Sequence, residues 1–254
     1  MGDIARCSLG KPEELHNEEL LYRLFGVQAE LLIDHAWGWE PCTIAAIKDY
    51  RPKSSSLSSG QVLPEPYPHE KARLIVREMA DQLSLELVEK GLVCSQFVLD
   101  IGYDAENLSA PAQQRSYHGL TKTDRYGRAV PAAAHGSANL PVPASSARIL
   151  MQAAAEVFDR IADSRLSVRR VTVTAAGLLR QEEAQLVGGD QLDFFGNYAA
   201  HQQQKAELER ELSGQQAIVA LRRKYGKNVV LRGIDLQEGA TTKNRNGQIG
   251  GHKA

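Results

Sequence analysis

"PHEKARLIVREMADQLSLELVEKGLVCSQFVLDI", Pro68 to Ile101, changes its hydrophobic period once, at Gly91. Before the glycine, Ala72, Val76, Met79, Leu83 and Leu87 recur at helical spacing, while Glu70, Arg73, Arg77, Asp81 and Glu89 fall on the other side. Pro68 suits a helix start, where a first turn leaves its N–H groups unpaired anyway, and Gly91 suits a left-handed stop. After Gly91 the period is two: Phe97, Leu99 and Ile101 alternate with Gln96, Val98 and Asp100. That alternation predicts a strand with one apolar and one wetter face.

The flanking sequence extends this pair. Upstream, "DYRPKSSSLSSG" (Asp49–Gly60) reads as a Ser-rich linker running into a first strand near Leu57–Leu63. Downstream, the polar stretch Asp104–Arg128 contains "DRYGR", which reads as a hairpin tip. "HGSANLPV" then predicts a third strand, with Ala138, Leu140 and Val142 on one face and His135, Ser137 and Asn139 on the other. Ser145 or Ser146 caps a second helix striped by Leu150, Ala154, Val157 and Ile161. "RRVTVTA" is the last strand: Val171, Val173 and Ala175 point one way, Arg170, Thr172 and Thr174 the other.

The order β-α-β-β-α-β is the ferredoxin-like pattern, an α+β fold with two helices on one face of a four-stranded antiparallel sheet. The opposite face then gathers Gln96, His135, Ser137, Asn139, Arg170, Thr172 and Thr174. Hydrogen-bonding side chains of this length contact phosphate and sugar along a nucleic-acid backbone. The pattern alone fits a solvated sheet face equally well.

The chain has 254 residues, 43% hydrophobic and 24% charged, enough for one or two domains with a sizeable core. No run of about 18 apolar residues predicts a membrane span, and no secretory signal opens the sequence. Cys7, Cys42 and Cys94 are odd in number and widely spaced, which points to the cytoplasm and to buried apolar roles. A net charge of −1 conceals a polarity. Residues 1–50 hold 4 Lys/Arg against 9 Asp/Glu, residues 197–254 hold 10 against 5. A basic tail suits nucleic acid as well as it suits solvent.

Reactive groupings are sparse. Asp100, Asp104 and Glu106 read as carboxylates around a strand end and loop rather than as a metal site, and His118 and His135 lack partners at ligand spacing. "GQIGGHK" lacks the strand and helix of a phosphate loop and reads as flexible tail. No nucleophile stands beside a base.

Four stretches together carry a resemblance: "LLYRLFGVQAELLIDHAWGWEP" (20–41), "SSSLSSGQVLPEPY" (54–67), "AHGSANLPVPASSARILMQAAAEVFDRI" (134–161) and "VRRVTVTA" (168–175). With the tail pieces "RKYGKN" and "LQEGATTKNRNGQIGGHKA", the chain resembles the C-terminal part of a Y-family translesion DNA polymerase of the UmuC or DNA polymerase IV type. The resemblance implies a partial helix-hairpin-helix thumb over 1–46, a linker over 47–56, and a little-finger DNA-binding domain over 57–178. It further implies a clamp-binding segment over 179–197 and a helix with a basic flexible tail over 198–254. In such polymerases the palm carries the metal-binding carboxylates. None of its motifs occurs in this sequence, so the expectation is an N-terminally truncated piece, inactive alone, whose magnesium ions would belong to the missing palm.

The resemblance also gives Gln191, Leu192, Asp193, Phe194 and Phe195 a role, as they are similar to the sliding-clamp-binding pentapeptide Gln-Leu-Ser/Asp-Leu-Phe. A Gln amide at a groove rim and apolar anchors within it suit that docking; packing back onto the chain's own core is the rival reading. Arg51 and Lys53 of the linker join the sheet face as expected DNA contacts. The implied partners are damaged or primer–template DNA, a bacterial sliding clamp and other polymerase subunits, within DNA repair and the SOS response. A stand-alone RNA-binding module is the alternative, but such modules stack bases on sheet aromatics, and the outward positions here carry no clear pair of them.

Overall fold

The computed structural model describes residues 1–50, 55–109, 117–187, 198–249 and 252–253. The chain divides into two compact units, Met1–Lys53 and Ser54–Ala254.

The first unit is helical: α1 (Gly2–Ser8), α2 (Glu18–Phe25), α3 (Gln28–Ala36) and α4 (Ile44–Asp49). Asn17 caps α2 by accepting from Leu20 N at 3.0 Å, and its amide ties back to Pro12 O. Gly26 stops α2 at φ 57°, a left-handed value that a side chain would strain. Leu21 and Ala29 are its buried apolar residues. α4 occupies residues expected to begin the linker.

The second unit opens with β1 (Ser56–Tyr67), α5 (His69–Lys90) and β2 (Leu92–Tyr103). Pro68 and Gly91 flank α5, with Gly91 at φ 64°. A small hairpin follows, β3 (Thr121–Thr123) and β4 (Ala129–Pro131), with "DRYGR" at its turn. Then come β5 (Ala134–Ala144), α6 (Ala147–Ile161), β6 (Val168–Ala176) and β7 (Leu179–Arg180). Ser146 caps α6, its Oγ accepting from Ile149 N at 3.2 Å.

The long elements thus follow the β-α-β-β-α-β succession. The strands lie in the order β1-β6-β2-β5, all antiparallel, and β7 adds a fifth member against Leu92 and Val93 of β2. The last long strand therefore sits between the first and second. Strand order depends on which apolar faces meet, and periodicity along one strand carries no information about it. β1 is an edge strand, which explains how it tolerates Pro64 and Pro66.

The core lies between the sheet and the two helices. Phe97, Leu99, Ile101, Val171, Val173 and Ala175 meet Ile75, Val76, Met79, Leu83, Leu150, Val157 and Phe158, all buried. Gly136 of β5 lets α6 approach closely: a Cβ there would stand 2.7 Å from Ile161 Cγ2. Cys94 is buried in this core, as expected, and burial pushes its thiol up to about 12. Cys42 departs from expectation and is exposed, and Cys7 is half-buried with Sγ 3.2 Å from Asn17 O.

The C-terminal region departs further. α7 (Gln181–Val187) precedes α8 (Tyr198–Tyr225), which packs along α5. The segment after Gly226, expected to be flexible, contains a 3₁₀ turn (Gly233–Leu236) and α9 (Thr242–Arg245). Gln248–Ile249 pairs with His252–Lys253 as β8 and β9. The segment docks on the polar side of α5. Asp81, expected to face solvent, is fully buried beside Arg232, whose Nε lies 2.6 Å from Oδ1. Burial nevertheless holds its carboxyl above the usual range. Glu78, also buried, accepts from Thr241 N at 2.9 Å and Thr242 N at 3.3 Å. Ser59 and Gln61, polar residues on the helix side of β1, meet Arg245 and Thr241.

Candidate nucleic-acid interface

Antiparallel register turns the wetter alternation of each strand into rows across the sheet. Asn139 of β5 pairs with Gln96 of β2, which pairs with Ala176 of β6 and on to Ser56 of β1. The next row is Ser137, Val98, Thr174 and Ser58, and the one after is His135, Asp100, Thr172 and Gly60. The last is Gly102, Arg170 and Val62. Sequence periodicity singled out Gln96, His135, Ser137, Asn139, Arg170, Thr172 and Thr174. All seven stand on the one face that α5 and α6 leave uncovered.

Several are held by their row neighbours. Gln96 Nε2 donates to Asn139 Oδ1 at 3.2 Å, Ser58 Oγ and Thr174 Oγ1 share a 2.7 Å hydrogen bond, and His135 Nδ1 lies 2.7 Å from Asp100 Oδ1. These pairs set the side-chain directions while leaving other lone pairs and N–H groups free for a ligand. Gly102 lies close beside Arg170, where an added Cβ would come within 3.2 Å of Arg170 Cβ. Arg170 is exposed and supplies the face's fixed cation. Its neighbour Arg169 is the extra residue where the β2–β6 register shifts, and its Nε lies 3.6 Å from Asp104 Oδ2.

Sequence reasoning missed Asp100 and Ser58 as members of this face. The strict alternation from Gln96 places Asp100 there, and the Ser56–Ser58–Gly60 alternation places Ser58. The sequence puts Asp100 in the wetter alternation of the second strand and Ser58 within the first strand, and neither was carried onto the shared face. Arg51, Lys53 and the segment Gln191–Phe195 lie outside the described residues. Among the described residues, no group of three His, Cys, Asp or Glu is gathered to hold a metal ion.

The arrangement is an open polar platform with one fixed cation, built to accept hydrogen bonds along an extended polar surface and without convergent reactive groups. Comparison with curated proteins finds no matching relative. The family model described as the impB/mucB/samB family C-terminal domain matches residues 54–190, over half of the chain and all five strands of the sheet. The chain therefore belongs to that family and contains the C-terminal region of a Y-family DNA polymerase.

Proposed function

We propose that the sheet's open face holds primer–template DNA for an error-prone translesion polymerase acting in DNA repair and the SOS response in the cytoplasm. The observation that carries this reading is the alignment of short hydrogen-bonding side chains in consecutive rows, with Arg170 beside them. Such groups grip phosphate and sugar without selecting sequence. Gln191–Phe195 tethers the region to a bacterial sliding clamp, and the tether raises the local concentration of the DNA-binding face. Its support is the match of Gln191, Leu192 and Phe195 to the anchors that a clamp groove takes. Other polymerase subunits complete the assembly, and the magnesium ions belong to the polymerase palm.

A salt titration of duplex binding tests the reading. Affinity for a labelled primer–template should fall steeply with salt as counterions are released, and Arg170→Ala should weaken unrelated sequences alike. Affinity independent of salt, or a loss confined to one sequence, would overturn it.

A further inference from the structure

The C-terminal segment sorts its charges. Three of its carboxylates are engaged: Glu211 receives Ser146 Oγ and Arg148 N, Glu238 pairs with Lys71 at 2.8 Å, and Asp235 accepts from Arg232 N within its own turn. Three of its arginines turn inward. Arg232 meets Asp81, Arg222 donates to Gln82 and Val230 O, and Arg245 donates to Ser59. The cations left outward at the end of α8 and on α9 are Arg223, Lys224, Lys227 and Lys243, all exposed.

Two asparagines hold the backbone at Lys227 and Lys243 together. Asn228 Nδ2 donates to Lys243 O at 3.2 Å, and Asn246 Nδ2 donates to Asn228 Oδ1 at 2.8 Å, with Lys227 O 3.5 Å away. The turn after α8 and the helix α9 are thereby stapled side by side, each presenting a lysine. Arg223 and Lys224 border a neighbouring groove with Val88, Val219 and Ala220, where Glu89 is the carboxylate on the lining. None of the four cations lies within ion-pair distance of a carboxylate among the described residues. Exposed cations of one sign on neighbouring elements make a positive potential that attracts a polyanion.

We propose that Arg223, Lys224, Lys227 and Lys243 form a second nucleic-acid surface, a phosphate-binding patch on the helix side of the sheet. It is separate from the open face, because α8 and the segment after it pack on α5. The ligand is the sugar–phosphate backbone, and the patch adds length to the DNA that the domain holds. The choice of nucleic acid among polyanions rests on the reading of this chain as a DNA-binding region.

The test measures binding of a fluorescent primer–template by the 254-residue chain across a salt series, with thermal melts alongside. Lys227→Gln/Lys243→Gln should reduce the slope of log affinity against log salt by about 1.8, two contacts at about 0.9 each. Lys227→Arg/Lys243→Arg should keep the wild-type slope, and Arg170→Ala should reduce it independently, with additive effects. An unchanged slope in a folded Lys227→Gln/Lys243→Gln variant would overturn the proposal. So would loss of binding to a poly-glutamate probe with DNA binding intact, which would assign the patch to an acidic protein. An effect of the lysine pair without an effect of Arg170→Ala would instead leave the patch standing and overturn the open-face reading.

Discussion

Glu211 of α8 caps a helix that is not its own. Its Oε2 accepts from Ser146 Oγ at 2.6 Å and its Oε1 accepts from Arg148 N at 3.0 Å, at the first turn of α6. A carboxylate here satisfies an N–H that the helix leaves open and sits at the positive end of its dipole. One turn on, Gln215 donates to Ser84 Oγ and Ser145 O, both at 3.1 Å, so α8 is fastened to α5 and α6 by polar contacts as well as by packing.

Replacing Glu211 by Ala should therefore destabilise the second unit by about 1 kcal/mol, the usual scale of a lost cap. Glu207→Ala, which removes a 4.0 Å exposed pair with Arg148, should change stability by less than about 0.5 kcal/mol. Chemical denaturation of the two variants compares them directly.

Gly136→Ala should cost about 1–3 kcal/mol, because the added methyl meets Ile161 Cγ2 at 2.7 Å and Val157 Cγ1 at 3.2 Å, in a packed β5–α6 contact. Ile161→Ala in the same chain should recover part of the loss. A double-mutant cycle on thermal unfolding reads the coupling, and strict additivity would contradict the packing account.

Two carboxylates should give stability profiles of opposite sign. Arg73 holds Asp159 through bonds of 2.7 and 2.8 Å between α5 and α6, and this lowers the Asp159 carboxyl. A lowered folded value contributes stability that is complete above the unfolded range near 3.8 and is lost as pH falls through the lowered value. Asp159→Asn should thus trail the wild type at neutral pH by about 0.5–1 kcal/mol, discounted for exposure, and meet it in strong acid. Glu78 is raised, chiefly by burial, with Asp235 adding to the shift and Thr241 and Thr242 opposing it. Its contribution is present below the unfolded range and lost as pH rises through the raised value. The wild-type advantage over Glu78→Gln should be greatest in acid and shrink towards neutrality. Melting curves from pH 3 to 8 would show parallel profiles if either sign were wrong.

Leu192→Ala/Phe195→Ala should remove two apolar anchors worth about 1.5–3 kcal/mol each. Calorimetry should then detect no binding to a bacterial sliding clamp, while melting temperature and DNA binding stay as they were. A lowered melting temperature with clamp affinity retained would instead place those side chains in the chain's own core.

What was legible in the sequence was local. The period change at Gly91 marked α5 and β2, and alternation in "RRVTVTA" separated Val171 and Val173 from Thr172 and Thr174. Strand order was not legible, because alternation along β1 says nothing of its pairing with β6. The docking of residues 228–246 was hidden for another reason. Asp81 reads as solvent-facing, the periodicity assigns no role to Glu78, Ser59 or Gln61, and their partners Thr241, Thr242, Arg232 and Arg245, about 150 residues or more away, make their positions tolerable. Polar residues facing the helix side of an edge strand were the available clue.

The most direct test of the open face places a charge at its centre. Thr172 lies in the row between Asp100 and Gly60, on the face away from the helices. Thr172→Glu should weaken binding to a primer–template duplex at least about tenfold, or 1.4 kcal/mol, through repulsion of the backbone, while the chain still unfolds cooperatively, its melting temperature lowered only by the new carboxylate's repulsion of Asp100 across the pair. Wild-type affinity in a folded Thr172→Glu chain would contradict the assignment of this face to DNA.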